Sequence, residues 1–152
     1  MMDTGDAIPA VGVTALDGSE IDLATLGGPL VVYFYPKDDT SGCTREAQDF
    51  TALAGDFAAA GVRVIGISRD TVASHARFTA KYDLAVELVS DPDAKAAEAF
   101  GVWGERKLYG RTYMGVERAT FLFGRDGRLV QAWRKVRVPG HADAVLAAAR
   151  AL

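Results

Sequence analysis

"YFYPKDDTSGCTREAQDF", Tyr33 to Phe50, carries the only cysteine of a 152-residue chain. An apolar run ends at Pro36, a polar loop follows, and Cys43 falls where helical character begins. The run that leads in, "PLVVYFY", is apolar, β-branched and aromatic without alternation, which suits a strand buried on both faces of a parallel or mixed sheet. Downstream, over Thr44 to Ala60, Ala47, Phe50, Ala54, Phe57 and Ala58 recur on one helical face, and Gly61 offers a C-terminal stop. "VRVIGIS", Val62 to Ser68, repeats the buried-strand character. Strand, helix, strand is a βαβ unit.

Working outward, "AVGVTAL" alternates, Asp17-Gly18 supplies a turn and "SEIDL" alternates again, which predicts an opening hairpin. "DTVASHARFTAKYD" reads as a helix from an Asp70 or Thr71 cap, followed by a short strand in "VELVSD". In "SDPDAKAAEAF", Asp91 as cap and Pro92 in the first turn announce another helix. Residues 101–115, "GVWGERKLYGRTYMG", are rich in glycine and aromatic residues without a clear period. They read either as a functional loop or as a short hairpin folded on the surface. "RATFLFG", the turn Asp126-Gly127 and "RLVQAWRKV" make an antiparallel hairpin, and "PGHADAVLAAARAL" closes as an amphipathic helix. The fold class is a mixed-sheet α/β sandwich, and residues 1–152 read as one domain without repeat, low-complexity tract or linker.

The chain is 49% hydrophobic and 24% charged with net charge −3, the balance of a soluble globular domain large enough to bury its own core. Nothing in that balance points to nucleic acid. The late basic run "WRKVRV" alternates with Trp133, Val136 and Val138 and reads as one solvated strand face. A single cysteine rules out an intramolecular disulfide framework. No basic region followed by an apolar core opens the chain, and no run reaches the roughly 18 apolar residues of a membrane helix. No membrane partner and a cytoplasmic location are expected.

A strand end that feeds a loop and a helix start gathers free backbone N–H groups around its first turn. Cys43 is placed to use them, because that end of a helix favours a thiolate over a thiol. At this level two readings stand side by side, a reactive nucleophile and a small buried apolar side chain.

Pro36 and Thr40 stand before Cys43 in the spacing Pro-x-x-x-Thr-x-x-Cys, with Gly42 directly preceding the cysteine. With "VVYFYPKDDTSGCTREA", "GVWGERKLYGRTYMGVERATFLF" and "WRKVRVPGHADAVL", the chain from about Ile8 to its C-terminus resembles the peroxiredoxins, within them the bacterioferritin comigratory protein or peroxiredoxin Q subgroup. The resemblance implies a thioredoxin-like fold, a mixed central sheet flanked by helices, with an added N-terminal β-hairpin. It also implies reduction of hydroperoxides by a cysteine, with no metal, haem, flavin or other cofactor. By position Cys43 matches the peroxidatic cysteine, Pro36, Thr40 and Gly42 its pocket, Arg118 in "GVERATF" the active-site arginine, and Glu46 a residue that helps hold that arginine.

Charge flow says why such residue types would be needed. A thiol of reference pKa about 8.5 is roughly 3% ionised at pH 7, so complete ionisation gains only about thirtyfold, or about 2 kcal/mol. Nucleophilicity falls with pKa and cancels part of that gain. Donors that grip both peroxide oxygens must supply the remainder: Arg118, the Thr40 hydroxyl and the N–H groups near Gly42 and Cys43. One departure matters. Many members of the subgroup carry a resolving cysteine five residues beyond the first, and Gln48 stands there in this chain. A sulfenic acid at Cys43 then requires an external thiol: thioredoxin, glutaredoxin or glutathione.

The competing classes are weaker. A thiol-disulfide reductase wants Cys-x-x-Cys where this chain has "TSGC". A cysteine hydrolase needs a histidine base, and of the two histidines His75 reads as an exposed helix residue and His141 as part of a helix start. Those two with one cysteine also argue against a zinc site. A binding or chaperone-like module of thioredoxin fold with a non-catalytic cysteine is the non-enzymatic alternative. No exposed unpaired interface strand is evident, and a monomer is expected.

Overall fold

The structure is a computed structural model and describes residues 2–152. β1 (Gly12–Thr14) and β2 (Glu20–Asp22) pair antiparallel as the opening hairpin. β3 (Leu30–Phe34) follows, then α1 (Ser41–Ala52) and α2 (Ala54–Ala59), β4 (Arg63–Ser68), α3 (Val72–Tyr82), β5 (Glu87–Ser90) and α4 (Lys95–Ala99). β6 (Trp103–Leu108) and β7 (Arg111–Val116) precede β8 (Ala119–Phe123), β9 (Leu129–Trp133) and α5 (His141–Arg150).

A seven-stranded mixed sheet runs in the order β2-β1-β5-β4-β3-β8-β9, and β6-β7 forms a separate two-stranded ribbon. β3 is parallel to β4 and antiparallel to β8, so the strand that leads to Cys43 lies inside the sheet. Its unbroken apolar character follows from burial on both sides. Leu30, Val32 and Phe34 join one core with Phe100, Phe121 and Phe123, while Val31, Tyr33 and Tyr35 join the other with Phe50, Phe57, Phe78 and Val145. The second face is covered by α1, α2, α3 and α5, the first by α4 and the chain's opening segment.

Local differences from the expected elements have identifiable causes. The helix expected over Thr44 to Ala60 starts at Ser41 and is interrupted at Leu53, where the N–H is shared between the carbonyls of Asp49 and Phe50. Gly61 ends it as expected, at φ +74. The helix expected from Pro92 begins later, at Lys95. Asp91 still caps it from a distance, its carboxylate accepting the Ala96 and Ala97 N–H groups at 3.1 and 3.0 Å across a left-handed Ala94.

The basic run departs most. β9 stops at Trp133, and Arg134 turns inward to the carboxylate of buried Glu117 at 2.6 and 3.1 Å and to the Gly101 carbonyl at 3.0 Å. An ion pair thus replaces the solvated position at Arg134, while Lys135 and Arg137 are exposed in alternation with half-buried Val136 and Val138 as expected. Of the two readings of residues 101–115, the hairpin is correct. It pairs from Trp103↔Val116 to Leu108↔Arg111 and turns at Tyr109-Gly110, both at positive φ. Among the described residues no helix is long and apolar enough to cross a membrane.

Candidate active site

Cys43 is the third residue of α1 and is buried at 2% exposure. β3 delivers the chain to Tyr35, whose N–H still bonds the Ile67 carbonyl, and Pro36 then takes the backbone out of the sheet. The loop closes on itself at Thr40. Its hydroxyl donates to the Lys37 carbonyl at 2.9 Å instead of capping α1, although its backbone is extended and its carbonyl accepts the Thr44 N–H at 2.8 Å. The N–H groups of the first turn, where Gly42 and Cys43 lie, have no intrahelical acceptor by the geometry of a helix start.

Arg118 enters from the junction of β7 and β8. Its Nη2 donates to Cys43 Sγ at 3.2 Å and its Nη1 to Glu46 Oε1 at 2.7 Å. Glu46 stands three residues after Cys43, so the two side chains share a face of α1 and one guanidinium spans both. Gly42 eases the approach: a Cβ there would lie 3.2 Å from Arg118 Nη2, tight enough to shift the guanidinium by a small amount. Beyond the guanidinium opens a cavity of about 500 Å³ walled by Pro36, Arg118, Trp103, Met114, Val116 and Val136. The structure thus brings Cys43, Glu46, Gly42 and Arg118 into contact and sets Pro36 at the cavity rim. Thr40 lies at the head of the same helix, with its hydroxyl turned to Lys37.

Burial decides the electrostatics. Glu46 is 1% exposed, its Oε2 has no hydrogen-bond partner, and burial pushes its carboxyl up to about 7 against the opposing pull of Arg118. Burial disfavours the Arg118 cation, yet the charges of Glu46 and Cys43 hold it above its ordinary value. His141 goes down to about 4, through burial first and the Arg118 charge second, and its Nε2 pairs with Thr120 Oγ1 at 2.8 Å. It begins α5 as expected, but as a neutral core residue.

His75 is a correction. It is fully buried, not exposed, because Phe78 and Tyr82 stand three and seven residues further on and place it on the inward stripe of α3. Its ring nitrogens face Asp38 and the Val89 carbonyl, so neither histidine is hydrogen-bonded to Cys43 as a hydrolase base would be. Sequence reasoning missed this Asp38–His75 pair and the cavity-lining Arg69, Trp103 and Arg106. The first had a visible trace in the helical phase of His75; the second depends on the ribbon's placement.

Comparison with known proteins accords with this geometry. The chain matches the AhpC/TSA family over residues 4–132. It is 54% identical over 128 residues to peroxiredoxin Bcp of Xanthomonas campestris, covering 84% of this chain and 80% of that one. Peroxiredoxin Bcp of Bacillus subtilis is 41% identical over 141 residues, covering 92% and 90%. A solved structure of the Xanthomonas campestris bacterioferritin comigratory protein, studied for its alkyl peroxide reduction activity, superposes with a TM-score of 0.89 at 47% identity and 98% coverage of each chain. With a thioredoxin-like sheet, an added N-terminal hairpin and relatives this similar over nearly its whole length, the chain belongs to the AhpC/TSA family and is a peroxiredoxin of the bacterioferritin comigratory protein (peroxiredoxin Q) kind, a thiol peroxidase.

Proposed function

We propose that Cys43 is the peroxidatic cysteine of a one-cysteine peroxidase, a single cytoplasmic domain that acts as a monomer on hydrogen peroxide and organic hydroperoxides. The observation that carries the reading is the guanidinium of Arg118, bonded at once to Cys43 Sγ and Glu46. In the first step the Cys43 thiolate attacks one peroxide oxygen in line, an S–O bond forms as the O–O bond breaks, and the departing alkoxide or hydroxide takes up a proton. Negative charge moves from sulfur to the leaving oxygen. Arg118 and the N–H groups at the head of α1 are positioned to follow it, and electrostatic stabilisation of this kind is the largest resource such a site has. Pro36, Gly42 and Thr40 shape the entrance, Gly42 by leaving room for the guanidinium.

The product is a sulfenic acid, and Cys43 is the chain's only cysteine. An external thiol attacks that sulfur, releasing water and leaving a mixed disulfide, and a second thiol frees Cys43. Thioredoxin, glutaredoxin and glutathione all supply the required chemistry. A cavity of about 500 Å³ with Trp103, Met114 and Val136 in its wall accommodates more than hydrogen peroxide, which supports extending the alkyl peroxide activity of the Xanthomonas relative to this chain. The deciding experiment is dimedone trapping after one equivalent of peroxide, with thiol-dependent turnover of Cys43→Ser in parallel. A dimedone adduct on Cys43 and an inactive serine variant are expected; turnover retained in Cys43→Ser would overturn the assignment.

A further inference from the structure

The loop that enters the Cys43 helix is held from the far side by α3. Two consecutive aspartates make the attachment. Asp39, in left-handed backbone at φ 57, accepts from Lys81 Nζ at 2.7 Å and Tyr82 OH at 2.6 Å, but this pair is largely exposed and an exposed ion pair contributes little. Asp38 is different. Its Oδ1 accepts from Tyr35 OH at 2.6 Å, its Oδ2 from Ser74 Oγ at 2.8 Å and faces His75 Nδ1 at 2.8 Å, with the His75 side chain fully buried and that of Asp38 3% exposed. The Asp38 N–H donates to Asp70 Oδ2 at 2.9 Å, so backbone and side chain of one residue are both tied down.

The partners of His75 fix where its protons are. Nε2 lies 3.0 Å from the Val89 carbonyl, which can only accept, so Nε2 carries a proton. Nδ1 lies against a carboxylate oxygen, and two lone pairs at 2.8 Å would repel, so a proton sits between them as well. Burial works against charge on Asp38, yet hydrogen bonds from His75, Tyr35 and Ser74 hold it below the ordinary carboxylate range. Asp70 and Tyr35 are the other ionisable groups packed around the pair. A buried pair of this kind is rigid, because neither partner is readily left alone.

We propose that His75 is a positioning residue of the peroxidase: its ring, held between Asp38 and the Val89 carbonyl, clamps the Pro36–Thr40 loop to α3 and so fixes the entry of the helix that presents Cys43 to Arg118. The inference rests on Cys43 as the peroxidatic centre. In-line attack is sensitive to geometry, and a displacement of about 1 Å can lower a rate on the order of a hundredfold.

The test measures the second-order rate of Cys43 oxidation at a pH where the thiol is fully ionised, in native protein, His75→Phe, His75→Gln, Asp38→Asn and Cys43→Ser, together with the imidazole nitrogen NMR of native protein. His75→Phe should lose at least about tenfold. His75→Gln, which keeps a donor for Asp38, and Asp38→Asn, whose amide can donate to a singly protonated ring, should recover most of the rate. His75 should show Nε2 protonated both in native protein and in Asp38→Asn. A His75 Nε2 without a proton in native protein, or equal rates in His75→Phe and native protein, overturns the proposal. If His75→Phe does not fold, His75→Gln, Asp38→Asn and the NMR decide it: failure of both to keep the rate while folded overturns it. Turnover surviving in Cys43→Ser would instead overturn the underlying assignment.

Discussion

Glu46→Gln removes the titrating proton of a carboxyl beside Arg118 and keeps an acceptor at Oε1, so it separates the ionisation of Glu46 from its hydrogen bond. In the folded protein burial raises the Glu46 carboxyl from 4.5 to about 7. Between those values the folded state holds a proton that the unfolded state has released. Stability therefore falls as pH rises through this window and levels off above it. From pH 5 to pH 8 the contribution of Glu46 to that fall is roughly 2 to 3 kcal/mol, at about 1.4 kcal/mol per pKa unit. Urea denaturation at closely spaced pH values measures it, provided the slope with denaturant is unchanged between the two proteins. His141 titrates in the opposite sense, its neutral buried form adding stability above its ordinary pKa that is lost as pH falls toward about 4, but it is common to both proteins and cancels in the comparison. The variant should lose less stability than native protein on going from pH 5 to pH 8, by the amount above. Parallel curves for the two proteins would show that Glu46 is ionised throughout, held so by Arg118, and the reasoning from its orphaned Oε2 would fall.

Arg118→Met should slow peroxide reduction on the order of a hundredfold or more even at a pH where Cys43 is fully ionised, because donors to a developing charge are lost as well as ground-state attraction; full recovery at high pH, read by stopped-flow fluorescence, would refute it. Gly42→Ala places a methyl group 3.2 Å from Arg118 Nη2 and should cut the same rate about tenfold with a change in melting temperature of only a few degrees, measured by calorimetry. In Gln48→Cys the new thiol lies five residues along α1 from Cys43, too far for a disulfide without unwinding. Intact mass after one equivalent of peroxide should show a loss of two hydrogens in this variant and added oxygen in native protein if the first turns of α1 open; added oxygen in both would mean that they do not.

Much of this architecture was legible because it is local. The apolar run of β3, the turn at Asp126-Gly127 and the glycine at Gly61 each state their conformation within a few residues, and the loop from Pro36 to Cys43 has a recognisable spacing. What stayed hidden depends on pairs distant in sequence. Arg134 leaves the strand for Glu117, seventeen residues back, and Asp38 draws in His75 from thirty-seven residues away. A buried carboxylate beside a histidine or arginine satisfies both, but either residue alone reads as a polar surface position. His75 is the instructive case: its helical phase relative to Phe78 and Tyr82 marks it as inward, while its chemical type suggests solvent. Phase should have prevailed, because the burial of a histidine needs only partners, and Asp38 and the Val89 carbonyl supply them.

The same accounting of partners gives the site its internal logic. Arg118 is one cation with two prospective anions, the Cys43 thiolate at 3.2 Å and the Glu46 carboxylate at 2.7 Å. Both anions together would leave a net negative charge among Tyr33, Ala47 and Phe50, where unpaired charge is costly. A Glu46 that holds its proton up to about pH 7 avoids this, and leaves the guanidinium's charge to the thiolate. Cys43 and Glu46 therefore share one guanidinium from one face of α1, and burial, by holding the Glu46 proton, favours the thiolate as its anionic partner.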